Sequence, residues 1–123
     1  MNKRQSKEDY LERILVLQEK KDIVRAIDIA NDMNYSKPSV SIALKKLKNE
    51  ELIEVNTVTG NVSLTEKGKE IAVEVYERHK IISSALIMIG VDPEIAKEEA
   101  CELEHDISHE TFLKLKNFLE RTK

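Results

Sequence analysis

Three glycines and two prolines among 123 residues leave too little turn chemistry for a many-stranded sandwich or barrel. A chain of this kind is restricted to a few long elements joined by short connections. Hydrophobic residues make up 41% but aromatics only 4%, with no Trp, so the core must be built from small aliphatic side chains, as in a mainly helical protein. The length allows one domain or two small subdomains. Charged residues reach 35% and leave a net charge of −3, which excludes a basic coat protein or a histone-like packer. Nucleic-acid binding stays open provided the charge is segregated along the chain. Cys101 is the one cysteine, which excludes an internal disulfide framework. The longest apolar stretch, residues 85–91, is interrupted by Gly90 and falls far short of the ~18 residues of a membrane span. The expectation is a cytoplasmic protein in a reducing compartment.

Apolar spacing predicts the order of elements. Ser6, followed by Lys7-Glu8-Asp9, reads as an N-cap, with Tyr10, Leu11, Ile14, Leu15 and Leu17 keeping helical period to about Lys20. A short helix is expected over residues 25–33, with Ile27, Ile29, Ala30 and Met33 facing inward, then a turn at Asn34 and Tyr35. Ser36-Lys37-Pro38 opens a third helix to about Glu50, with Val40, Ala43, Leu44 and Leu47 inside. Two β-prone runs, 52–55 and 62–64, flank a segment containing Gly60 and predict a hairpin. A long helix follows from Thr65 to about Ile89. Asp92-Pro93-Glu94 caps another to about His105, and Ser108 starts a last one carrying Phe112, Leu115, Phe118 and Leu119.

Helix, short helix, tight turn, helix and hairpin describe a winged helix-turn-helix over residues 1–65, followed by a helical domain over 66–123. The third helix carries Lys37, Lys45, Lys46 and Lys48 and no acid from Ser36 to Asn49, in a protein of negative net charge. Its first turn offers Ser36, Ser39 and Ser41, small hydroxyls that approach base edges or phosphates without bulk. The helix alone fits a solvated lysine face equally well; the neighbouring hairpin and short helix decide for DNA. Candidate DNA-binding residues are Arg25, Ser36, Lys37, Pro38, Ser39, Ser41, Lys45 and Lys46. Arg25 stands at a positive helix start, where a phosphate fits. Thr57, Thr59 and Asn61 at the hairpin tip are weaker candidates for backbone contact.

Cys101, Glu104 and His105 are spaced i, i+3, i+4, which puts all three on one helix face. Asp9 and Glu12 share a face of the first helix, and His79 lies in the long one. Each has a plainer reading taken singly: a small buried thiol, helix-dipole decoration, a solvated acid, a satisfied core histidine. Together they supply thiolate, imidazole and carboxylate donors suited to divalent Mn, Fe, Co or Zn. Glu98, Glu99, Glu102, Glu104 and Asp106 crowd around a single Lys97, a concentration of charge that asks for solvent or a cation.

The chain resembles the diphtheria toxin repressor family of metal-dependent repressors, especially its two-domain branch, the manganese transport regulators. The blocks that carry the resemblance are Lys7-Glu8-Asp9-Tyr10-Leu11-Glu12, Asp28-Ile29-Ala30, Ser36-Lys37-Pro38-Ser39-Val40-Ser41, Leu64-Thr65-Glu66-Lys67-Gly68, Glu77-Arg78-His79 and Glu102-Leu103-Glu104-His105-Asp106-Ile107-Ser108. The last is the most specific. The resemblance implies a winged helix domain, then a helical dimerisation domain, with the metal between them and no SH3-like domain after Lys123. By position it implies the ligands Asp9, Glu12, His79, Cys101, Glu104 and His105. Cys101 stands where the manganese branch usually has glutamate and the iron-responsive branch cysteine, whereas Asp9 matches the manganese branch. Ser83 and Lys97 fall at ancillary-site positions of iron-type members, so a second site is incomplete. Ile42 replaces a residue that is often polar.

The reading is a metal-dependent transcriptional regulator, responsive to Fe2+ or Mn2+ (Co2+ and Zn2+ in vitro), that represses metal-uptake genes. It would bind a palindromic DNA operator as a homodimer, without membrane or small organic ligand. A cation held by ligands from both domains would fix the spacing of two recognition helices one helical turn apart, about 34–36 Å. Ile81, Ile82, Leu86, Ile87 and Met88 exceed what a small helical subdomain buries, as an obligate dimer requires. The competing reading is a winged-helix regulator triggered by thiol oxidation or a small molecule. A metalloenzyme ranks below both, because the chain has no Gly-rich phosphate loop and no nucleophile beside a base.

Overall fold

In the computed structural model, which describes residues 3–122, helix α1 spans Lys3–Lys20. It starts ahead of the cap expected at Ser6, which lies inside the helix; Lys3-Arg4-Gln5 contains no breaker, and all three residue types favour helix. The chain divides into a first unit, Met1–Val73, and a second, Glu74–Lys123. Among the described residues no helix is long and apolar enough to cross a membrane.

The first unit folds around Leu11, Ile14, Val24, Ile29, Val40, Leu47, Leu52, Ile53 and Val62, all buried. Helix α2 (Ala26–Met33) takes Arg25 as its N-cap position. Asp28 closes the first turn by accepting from the Arg25 N–H at 2.9 Å. Its carboxyl is held below the usual range, first by the Lys21 ammonium at 2.6 Å and then by that backbone bond. Ile29 and Ala30 face the core, but Ile27, expected inside, is 38% exposed. The helix is only two turns long, and its buried stripe is too narrow to take in Ile27 as well. Asn34 stops it in the left-handed region, φ 57°. Helix α3 (Lys37–Asn49) begins at Ser36, whose Oγ accepts from the Ser39 N–H at 3.3 Å, and buries Val40, Leu44 and Leu47.

Strands β1 (Ile53–Val55) and β2 (Val62–Leu64) pair antiparallel, with Ile53 opposite Leu64. Gly60, at φ 78°, makes the turn between them. Thr65 then clamps the start of α4 (Glu66–Met88): its Oγ1 donates to the Glu51 carbonyl at 2.8 Å and accepts from the Gly68 N–H at 3.1 Å. A Cβ at Gly68 would overlap the Leu52 carbonyl oxygen, so only glycine lets the helix begin this close to the hairpin base. Three helices and a hairpin in this order form a winged helix-turn-helix.

The second unit holds the rest of α4, α5 (Pro93–Leu103) and α6 (His109–Arg121). Gly90, at φ 103°, ends α4, and the Val91 N–H closes back on the Leu86 carbonyl at 2.9 Å. Asp92 occupies the N-cap of α5 but its side chain makes no capping hydrogen bond, whereas Ser108 caps α6 through the Thr111 N–H at 3.1 Å. Helix α5 ends at Leu103, before the expected His105. Val75, Ile82, Ala96, Ala100, Phe112 and Leu119 form the apolar interior of this unit.

Candidate nucleic-acid interface and metal centre

Helix α3 turns Val40, Leu44 and Leu47 inward and leaves Lys37, Pro38, Ser39, Ser41, Ile42, Lys45 and Lys46 exposed. This acid-free face is where the sequence placed the reader. Ser36 is exposed too, though its hydroxyl is already committed to Ser39, with 2.8 Å between the two Oγ atoms. Arg25 is exposed, and its Nε donates to the Thr59 carbonyl in the turn of the wing at 2.8 Å. Asn61 likewise turns inward, where Oδ1 accepts from the Val24 N–H at 2.8 Å. Asn56 Oδ1 accepts from the Val58 and Thr59 N–H groups at 2.8 and 3.0 Å. These bonds fix the shape of the wing, and Val58 at its tip is 91% exposed. Of the expected tip residues, Asn61 and the Thr59 carbonyl are structural.

In the second unit, four of the six expected metal ligands converge. His79, on α4, donates from Nδ1 to Glu104 Oε2 at 3.1 Å, and Cys101 Sγ lies 3.8 Å from the same nitrogen. His105 Nε2 stands 3.4 Å from Glu104 Oε1. The spacing argument put Cys101, Glu104 and His105 on one helix face, but α5 stops at Leu103, and Glu104 and His105 sit in the turn beyond it. Glu104 keeps helical dihedrals, φ −59° and ψ −24°, which is why the periodicity reads straight through. On α1, in the first unit, Asp9 and Glu12 are three residues apart on one face, with Glu12 buried. Ser83 is buried and Lys97 exposed.

The Glu104 side chain is fully buried, yet Oε1 accepts no hydrogen bond among the described residues. An ionised carboxylate in that position is unfavourable unless a positive charge meets it. Cys101 first, and Glu104 second, push the His79 imidazole up to about 10, against the opposing effect of burial. Thiol, imidazole and carboxylate within a few ångströms, with one buried carboxylate oxygen left without a hydrogen bond, fit a divalent transition metal.

Arg78 escaped the sequence reading. It is 5% exposed, donates from Nη1 to the Glu104 carbonyl at 3.3 Å and from Nη2 to Glu74 at 3.1 Å, and lies 5.9 Å from the Phe112 ring centroid. The signal was present: Arg78 falls three residues after Val75 and four before Ile82, on the apolar stripe of α4.

Residues 4–60 match the N-terminal DNA binding domain of the iron dependent repressors, and residues 65–123 match their metal binding and dimerisation domain. The chain belongs to this family. An uncharacterised HTH-type transcriptional regulator of Methanocaldococcus jannaschii is 38% identical over 97% of this chain and 96% of its own length. The transcriptional regulator MntR of Escherichia coli is 36% identical, over 98% of this chain and 77% of that protein. Among solved structures, the manganese regulator SloR superposes with a TM-score of 0.82 at 35% identity, covering 93% of this chain and 53% of that one. The chain thus spans about half the length of that structure. The family consists of metal-dependent, DNA-binding transcriptional regulators rather than enzymes, as the sequence predicts, and its cofactor is a divalent metal.

Proposed function

We propose that this chain represses metal-uptake genes in response to Fe2+ or Mn2+, binding a palindromic operator as a homodimer. The observation that carries the reading is the buried Glu104 carboxylate, one oxygen without a hydrogen bond, beside His79, Cys101 and His105. Those four residues would hold the metal, and the resemblance to the family adds Asp9 and Glu12 by position in the sequence. When bound, the cation supplies positive charge to the Glu104 carboxylate and the Cys101 sulfur. The Cys101 thiolate favours Fe2+, with Co2+ and Zn2+ as substitutes in vitro, and the Asp9 carboxylate favours Mn2+. The resemblance to MntR and to the manganese regulator SloR supports Mn2+ as well.

Residues 1–65 would read the operator. Lys37, Lys45 and Lys46 suit phosphates, and Ser36, Pro38, Ser39 and Ser41 present little bulk to the groove. Arg25 would act by holding the wing and by what its terminal nitrogens reach. Residues 66–123 would dimerise. An open apolar groove of about 290 Å³ in the second unit, lined by Ile82, Leu86, Met88, Leu103, Phe118 and Leu119, supports a second copy there. Ile87, Met88, Ile89 and Phe118 are exposed apolar side chains of the same unit, and such a surface fits an obligate interface.

The test is operator binding titrated with Mn(II) and, anaerobically, with Fe(II), each against chelator. Metal should raise DNA affinity and chelator should abolish the gain. Equal affinity with and without metal would overturn the reading.

A further inference from the structure

Ile42 is the anomaly of the reading helix. At about 100° per residue, it lies about 200° around α3 from both Val40 and Leu44, opposite the buried stripe. It is 71% exposed, the most exposed large apolar side chain on any helix of the first unit. Its neighbours one turn away, Pro38, Ser39, Lys45 and Lys46, are all exposed as well. An aliphatic group held in water at the centre of a lysine-flanked surface fits a partner that is polyanionic outside and offers an isolated apolar group within. A protein groove would have to bury Lys45 and Lys46 along with it, whereas a DNA major groove meets those lysines with phosphates.

We propose that Ile42 is a specificity-determining residue that selects thymine in each operator half-site through the C5-methyl group. The proposal rests on the operator-binding reading above. Isoleucine has no donor or acceptor, so it discriminates among base edges by apolar contact, and the thymine methyl is the apolar feature of the major groove. Its β-branch confines χ1 in a helix, so the contacting methyls are aimed before DNA arrives. The same side chain placed against cytosine, adenine or guanine strips water from polar edges without replacing their hydrogen bonds.

The experiment selects binding sites from a randomised duplex pool using the full chain loaded with Mn(II) or, anaerobically, Fe(II). Each thymine of the enriched site is then replaced by uracil, which removes the methyl and nothing else. At one thymine per half-site, uracil should weaken binding about fourfold, the effect of burying one methyl group, and about fifteenfold when both half-sites are changed. In Ile42→Ala, which alters an exposed position and should fold normally, thymine and uracil operators should bind alike. Ile42→Gln should enrich adenine at that position, because its amide pairs with the adenine edge. Indifference of the unmodified protein to uracil at every thymine, or undiminished methyl dependence in Ile42→Ala, would overturn the assignment while leaving operator binding intact. Failure to enrich any site with either metal would overturn both together.

Discussion

The two units of this molecule have opposite interiors. The first is filled with aliphatic side chains packed between α1, α2, α3 and the hairpin, and its only buried carboxylate among the described residues is Glu12. The second buries few apolar groups and draws Arg78, Ser83, Glu104 and His105 into its interior. Several of its large hydrophobics, Ile87, Met88, Ile89 and Phe118, are exposed, while Ile82, Phe112 and Leu119 are buried. Aliphatic cores are stable by themselves, whereas buried ions are stable only when matched. On the proposed reading, the first unit should be stable by itself, and the second should gain most from a metal and a second copy.

The largest effect should separate reading from sensing. Replacing Ser39 and Ser41 with Glu sets two carboxylates on the helix proposed to read the operator and should lower operator affinity more than ~10³-fold, above about 4 kcal/mol. Metal affinity, measured by calorimetry on the same variant, should stay unchanged. Equal loss of both would collapse the distinction between the units.

Next in size is the aliphatic core. Leu11 is fully buried, and Leu11→Ala should cost about 3 kcal/mol in urea unfolding followed by circular dichroism without metal. Phe118→Ala, at a half-exposed position, should barely alter folding and should instead shift sedimentation toward the monomer. A reversed ranking would mean that the second unit, not the first, carries the intrinsic stability.

Metal should then act on one side only. At a hundredfold excess over its Kd, a cation bound by the native state adds about 2.7 kcal/mol. The gain should vanish in Glu104→Ala, while the Leu11→Ala penalty should be the same with or without metal. Smallest is the choice among metals. Co(II) should give a near-ultraviolet thiolate charge-transfer band, lost in Cys101→Glu, and that variant should move activation toward Mn(II) by about tenfold, or 1.4 kcal/mol. Without the band, Cys101 is not a ligand.

Legibility followed the same division. The winged helix was readable because period, caps and turn residues act over a few positions, as at Ser36, Asn34 and Gly60. What stayed hidden was set by distant residues. The Arg25 Nε is bonded to Thr59 and the Asn61 Oδ1 to Val24, partners more than thirty positions away that no local pattern reveals. The end of α5 was overrun because Glu104 retains helical dihedrals after the helix has stopped. The four side chains that meet in the second unit, His79, Cys101, Glu104 and His105, were visible as residue types and spacing. That Glu104 is the buried carboxyl, and Arg78 its neighbour, required packing that no local pattern encodes.

The bonds across the wing bear on when its order is acquired. Residues 56–61 are fastened by Asn56 beneath the tip, by Arg25 at Thr59 and by Asn61 at Val24. A loop that became ordered only on contact with DNA would lose about 1–2 kcal/mol of conformational entropy per residue at that moment. Here the loss falls at folding, before any duplex arrives. Association then involves two preformed surfaces, and its heat-capacity change should report dehydration of the contact area without a contribution from coupled folding.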